Sequence, residues 1–169
     1  MGYIRDDGLV VVVGPSDCMV SAGTWADSYA GGQWSYQRAA AAAPFYLAVF
    51  AKLLQHEESQ RGSCLKSIDL YYELNTALLT SLAATIYLVT YPADGAAFAD
   101  PVSQAFSYDA GHDAAGERVT EAYHKMTLTL TTPIWIAADE LVQVQILASA
   151  PAGTKFSWYG AAFHFSLRL

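Results

Sequence analysis

The chain has 169 residues, of which 53% are hydrophobic and 15% charged, with a net charge of −7. That length suits one domain, and the shortage of charge implies a chain that buries much of its surface, since soluble domains carry about a quarter charged residues. Abundant Trp, Tyr and Phe exclude disorder, and nine scattered basic residues exclude the footprint that nucleic acid or an anionic membrane requires.

The N-terminal stretch MGYIRDDGLVVVVGPSD does not read as a signal peptide, because the apolar run Leu9–Val13 is short and follows two aspartates. Gly2 lacks the serine or threonine of a myristoylation site. Leu9–Val13 is β-branched and stops at Gly14-Pro15, which predicts a strand and a turn. Val10, Val11 and Val12 are interface candidates, since such a strand can add to a neighbour's sheet edge. Cys18 and Cys64 show no metal or redox spacing, and two buried thiols are favoured over a disulfide. Around Gly31 and Gly32 the sequence reads as two short extended pieces and a flexible loop. Trp25, Trp34 and Tyr36 flank that loop; they suit the core, a protein interface or a sugar-stacking platform.

The stretch RAAAAAPFYLAVFAKLLQHEESQRG is too short, and too interrupted by Pro44 and Lys52, to span a bilayer. Two readings stay open. Alternation of Phe45, Leu47, Val49 and Leu53 against Tyr46, Phe50 and Lys52 favours a strand, while good helix formers from Phe45 to Gln60 favour a helix. The strand is preferred because the flanking elements are strands. His56, Glu57 and Glu58 then fall in a polar loop and lack zincin spacing.

Period-two alternation is clear further on. Ile68, Leu70, Tyr72 and Leu74 share one face, as do Leu82, Ala84, Ile86 and Leu88. Residues 92–117 form a long loop rich in Gly, Ala, Asp and Pro, with an extended piece at Gln104–Tyr108. Its Asp94, Asp100, Asp109, His112 and Asp113 lack calcium-loop spacing, so no metal is expected. Met126, Leu128 and Leu130, then Val142, Val144 and Ile146, then Phe163, Phe165, Leu167 and Leu169 mark three more strands. His124 and His164 read as ordinary strand histidines. No nucleophile elbow or phosphate loop is present, so neither a catalytic residue nor a cofactor is expected.

The expectation is an all-β, antiparallel β-sandwich of about eight strands, jelly-roll-like, over residues 1–169, with residues 1–40 a candidate N-terminal arm. The segments RGSCLKSIDLYYELNTALLTSLAATIYLVTYPADG and HKMTLTLTTPIWIAADELVQVQILASAPAGTKFSWYGAAFHFSLRL are similar to bacteriophage and prophage structural proteins with such a sandwich. The resemblance implies a capsid decoration protein in the virion, a homotrimer packed on a shell protein, with no catalytic residue. The competing reading is a lectin-like carbohydrate-binding module, for which an extracellular or cytoplasmic location stays open.

Overall fold

The computed structural model describes residues 6–51, 63–92, 100–137 and 139–168. Among these, twelve strands follow one another: β1 (Asp6–Val13), β2 (Cys18–Ser21), β3 (Trp25–Ala30), β4 (Gln33–Arg38), β5 (Ala43–Ala51), β6 (Ser63–Asn75), β7 (Ser81–Thr90), β8 (Val102–Gln104), β9 (Phe106–Tyr108), β10 (Tyr123–Ile136), β11 (Glu140–Ala150) and β12 (Lys155–Arg168). One 3-10 turn lies at Glu117–Val119. The expected antiparallel sandwich is therefore present, with more strands than the eight read from alternation. The surplus comes from pieces such as β2, β8 and β9, three or four residues long, too short to show a period.

A seven-stranded sheet runs β3-β4-β12-β6-β10-β9, with β1 also paired to β12, and a five-stranded sheet runs β2-β5-β11-β7-β8. Residues 6–38 thus supply four strands to the two sheets. The core lies between the sheets and is built by alternation. Leu65, Ile68, Leu70, Met126, Leu128 and Phe163 from the larger sheet meet Phe45, Leu47, Val49, Ile86, Val144 and Ile146 from the smaller. Each such side chain contributes about 1.5–3 kcal/mol by leaving water.

The disputed segment is a strand over Ala43–Ala51, with Phe45, Leu47, Val49 and Ala51 inward and Tyr46 exposed. Tertiary pairing decides this. β5 lies between β2 and β11, and β11 matches it over nine residue pairs, from Ala51 against Val142 to Ala43 against Ala150. Leu53 and the loop carrying His56, Glu57 and Glu58 lie outside the described residues. Cys18 is half-buried on β2 and Cys64 buried on β6, in different sheets, and no disulfide joins them.

Two features shape the edge of the larger sheet. β4 pairs with β12 only from Phe156 to Trp158, and β1 takes over the same side from Ala161 to Arg168. At the handover, Gly160 has φ +124°, and a β-carbon there would collide with the carbonyl oxygen of Val13. The glycine lets β1 come close enough to pair. Further along β12, opposite Phe156, Arg38 is fully buried at the base of the β3–β4 hairpin. Its guanidinium donates to the carbonyls of Ala22, Ala41 and Ala43 at 3.1–3.4 Å and lies over the Phe45 ring, 4.6 Å from its centroid. Three carbonyls take the place of a counter-ion and tie the hairpin to the start of β5.

Candidate functional site

Gly31 and Gly32, with φ of +59° and +85°, form a two-residue hairpin turn that only glycine-like residues adopt easily. The turn sets the register: Tyr29 faces Trp34, Asp27 faces Tyr36 and Trp25 faces Arg38. Because side chains alternate, these six residues share one face of the hairpin. They grade from core to solvent. Trp25 and Tyr36 are half-buried, stack at 5.3 Å, and Trp25 meets Phe45 and Phe156 edge-on. The Trp25 indole N–H donates to the carbonyl of Ala22. Tyr29 and Trp34 project beyond them, 61% and 64% exposed, with ring centroids 5.0 Å apart and planes tilted by 47°. Asp27 lies between the two ring pairs, and its carboxylate accepts a hydrogen bond from Ser16 at 3.1 Å.

The three aromatic candidates therefore divide. Trp25 and Tyr36 form the base, and Trp34 forms a surface with Tyr29. Sequence reading missed Tyr29 and Asp27, although counting back from the glycine pair would have placed Tyr29 opposite Trp34. Val10 and Val12 lie outward on β1 at 51% and 75% exposure, while Val11 points toward the core.

A second polar cluster, absent from the sequence reading, lies on the outer face of the larger sheet. Asp69, almost wholly buried, accepts from the Thr127 hydroxyl at 2.7 Å and pairs with Lys125 at 2.9 Å and His164 at 3.0 Å. Burial pushes the Asp69 carboxyl up, but hydrogen bonds from Thr127, Lys125 and His164 outweigh it and hold the group below its usual range. Thr127 and His164 reach Asp69 from β10 and β12, so strand pairing alone assembles the cluster. Next to it, the Tyr159 hydroxyl donates to Glu73 at 2.6 Å.

The two histidines expected as isolated residues differ in kind. His164 is half-exposed beside Asp69, whereas His124 is buried and stacks on Tyr72 at 4.6 Å. His124 also joins a chain of hydrogen bonds. Asp109 meets His112 Nδ1 at 2.8 Å, His112 Nε2 meets His124 Nδ1 at 3.1 Å, and His124 Nε2 donates to the Thr120 carbonyl at 2.9 Å. An ionised carboxylate and a carbonyl only accept, so both outer nitrogens need hydrogens, and the middle contact needs a third. Two neutral imidazoles carry two hydrogens. With both rings neutral and the two outer contacts formed, no hydrogen is left for the contact between the rings. Burial lowers the pKa of His124, a trend the Thr120 carbonyl opposes and nearby His112 reinforces. The chain pins residues 109–124 against β6, and the Thr120 hydroxyl lies 3.5 Å from His124 Nε2 at its end. Asp113 caps the amide of Ala114, and among the described residues no three His, Cys, Asp or Glu side chains converge as a metal site.

The fold defines the class: an all-β antiparallel sandwich. No protein-family model matches the chain, and no curated protein does. Among solved structures it is similar to TmCBM61 in complex with β-1,4-galactotriose, at 9% identity and a TM-score of 0.35, covering 96% of this chain and 88% of that one. It is also similar to a structure described as the basis for the promiscuous specificity of carbohydrate-binding modules of the β-sandwich superfamily, at 9% identity and a TM-score of 0.37. That match covers 90% of this chain and 55% of the other, so the chain spans about half of that structure's length. Both structures are described as carbohydrate-binding modules and neither as a virion protein, so the expectation of a virion structural protein is corrected: what is shown is the β-sandwich alone. That reading rested on alternating strands, and any antiparallel sandwich produces them.

Proposed function

We propose that the protein is a non-catalytic carbohydrate-binding domain whose ligand platform is the tip of the β3–β4 hairpin. The observation that carries this reading is the Tyr29–Trp34 pair, two large rings held in solvent on a rigid base. Aromatic planes receive the C–H faces of sugar rings, and a neighbouring carboxylate receives their hydroxyls; Asp27 stands on the same face. The base supports preorganisation, because the Trp25–Tyr36 stack and the buried Arg38 fix the hairpin before any ligand arrives. The acidic balance of the chain suits a neutral ligand better than an anionic one.

A glycan array followed by calorimetry tests the reading, with β-1,4-galactotriose among the first probes. Trp34→Ala is expected to weaken binding at least tenfold, about 1.4 kcal/mol, while the unfolding free energy changes by no more than about 0.5 kcal/mol, as for an exposed position. An array without hits, or full affinity in Trp34→Ala and Tyr29→Ala, would remove the proposal.

A further inference from the structure

Among the described residues, β1 is the longest edge strand of the two sheets, and one of its sides has no strand partner. β1 pairs with β12 through Asp6↔Arg168 to Val13↔Ala161, and among the described residues no strand pairs with its other side. The remaining edges are shorter: six residues in β3, four in β2, and three each in β8 and β9. Natural sheets protect such edges with lysine, proline, a bulge or a covering segment. From Gly8 to Val13 β1 carries no charge, no proline and no break in its register. Its outward face adds two bare valines, Val10 and Val12.

We infer that β1 is the contact through which two copies of this chain pair, edge to edge and antiparallel, joining two seven-stranded sheets into one. The strand is self-complementary about Val11. With a twofold axis through that residue, Gly8 faces Gly14 of the second copy, Leu9 faces Val13 and Val10 faces Val12. Directly opposed residues share a face in antiparallel pairing, so this register keeps Leu9, Val11 and Val13 of both copies toward their cores. It gathers the exposed Val10 and Val12 of both copies into one apolar cluster on the outer face. Slipping by one residue would set inward side chains against outward ones, which the two buried cores forbid. The acidic residues at positions 6 and 7 fall beyond the paired stretch and do not meet their own copies. Cross-strand contacts among β-branched side chains then stabilise the pair. Because each copy carries a net charge of −7, screening by salt is expected to tighten the association.

Sedimentation velocity on the full chain, from about 1 to 200 µM, tests the inference. The expected result is a monomer–dimer equilibrium that shifts toward dimer in added salt. Val12→Lys would place two ammonium groups beside the opposing Val10 residues and raise the dissociation constant at least tenfold. Val12 is already exposed in the single copy, so the variant folds as the parent does, checked by circular dichroism. Hydrogen exchange supplies the second readout: amides of β1 should gain protection as concentration rises, and those of β8 should not. A monomer throughout the range overturns the inference. So does a dimer that Val12→Lys leaves intact, or one that protects another edge. Trp34→Ala should dimerise like the parent, which separates this contact from the carbohydrate platform.

Discussion

Gly160→Ala is a small substitution that the fold should tolerate poorly. The methyl group adds little volume, yet two costs arise. At φ +124° an L-residue occupies backbone space that only glycine enters freely, a cost of about 1–3 kcal/mol. The added carbon would also press into the Val13 carbonyl oxygen, with the carbonyl carbon of Val13 and that of Gly14 at 3.5 Å. Backbone cannot rotate away as a side chain can, so β1 must retreat from β12 and strain its ladder from Val13↔Ala161 onward; overpacking of this kind costs about 1–3 kcal/mol. Together the loss is about 4 kcal/mol, a large share of the roughly 5–15 kcal/mol that holds a domain folded. Urea denaturation measures it directly, as a midpoint lowered by about 2 M for a slope of about 2 kcal/mol/M. Gly116→Ala is the control. Gly116 has φ −68° and nothing within 4 Å of an added β-carbon, so alanine should stabilise by about 0.4–1 kcal/mol through the unfolded chain. If Gly160→Ala stays within about 1 kcal/mol of the parent, the close approach of β1 to β12 is wrong.

Arg38→Met should cost about 3 kcal/mol in the same assay, because three buried carbonyls lose their donor; Arg38→Lys should recover little, since an ammonium cannot reach all three. Asp69 sets an acid limit. Its folded pKa lies below its unfolded value, so its stabilisation is complete above the unfolded pKa of about 3.9 and fades as pH falls through the folded one. The urea midpoint should drop below about pH 4, and Asp69→Asn should be destabilised at pH 7 and show a shallower acid decline. Burial, then the nearby Asp17, pushes the Cys18 thiol up to about 11. Iodoacetamide should therefore alkylate Cys18 slowly at pH 8, with the rate still climbing between pH 9 and 11.

Much of this molecule could be read from its residues. Inward and outward faces of β6, β7, β10 and β11 follow from a period of two, because each strand is long and turns one apolar face to the core. Class and antiparallel pairing follow from the same pattern, and strand sense over Ala43–Ala51 was the better of two readings. The hairpin register was also within reach. Gly31-Gly32 is a turn signal, and counting outward from it pairs Tyr29 with Trp34; treating it as a flexible loop hid the aromatic pair.

Other features belong to tertiary structure alone. Asp69, Lys125 and His164 lie on three strands far apart in the chain, and only the order β12-β6-β10 brings them together. The Asp109–His112–His124 chain depends on how a loop folds back on β6, for which no local pattern exists. Gly160 looks like any strand glycine until Val13 is placed beside it. Sequence determines which way each side chain points along its own strand, because that is local geometry. Which strands become neighbours depends on long-range pairing, and so the clusters, the shared side of β12 and the exposed side of β1 emerge only once the sheets have formed.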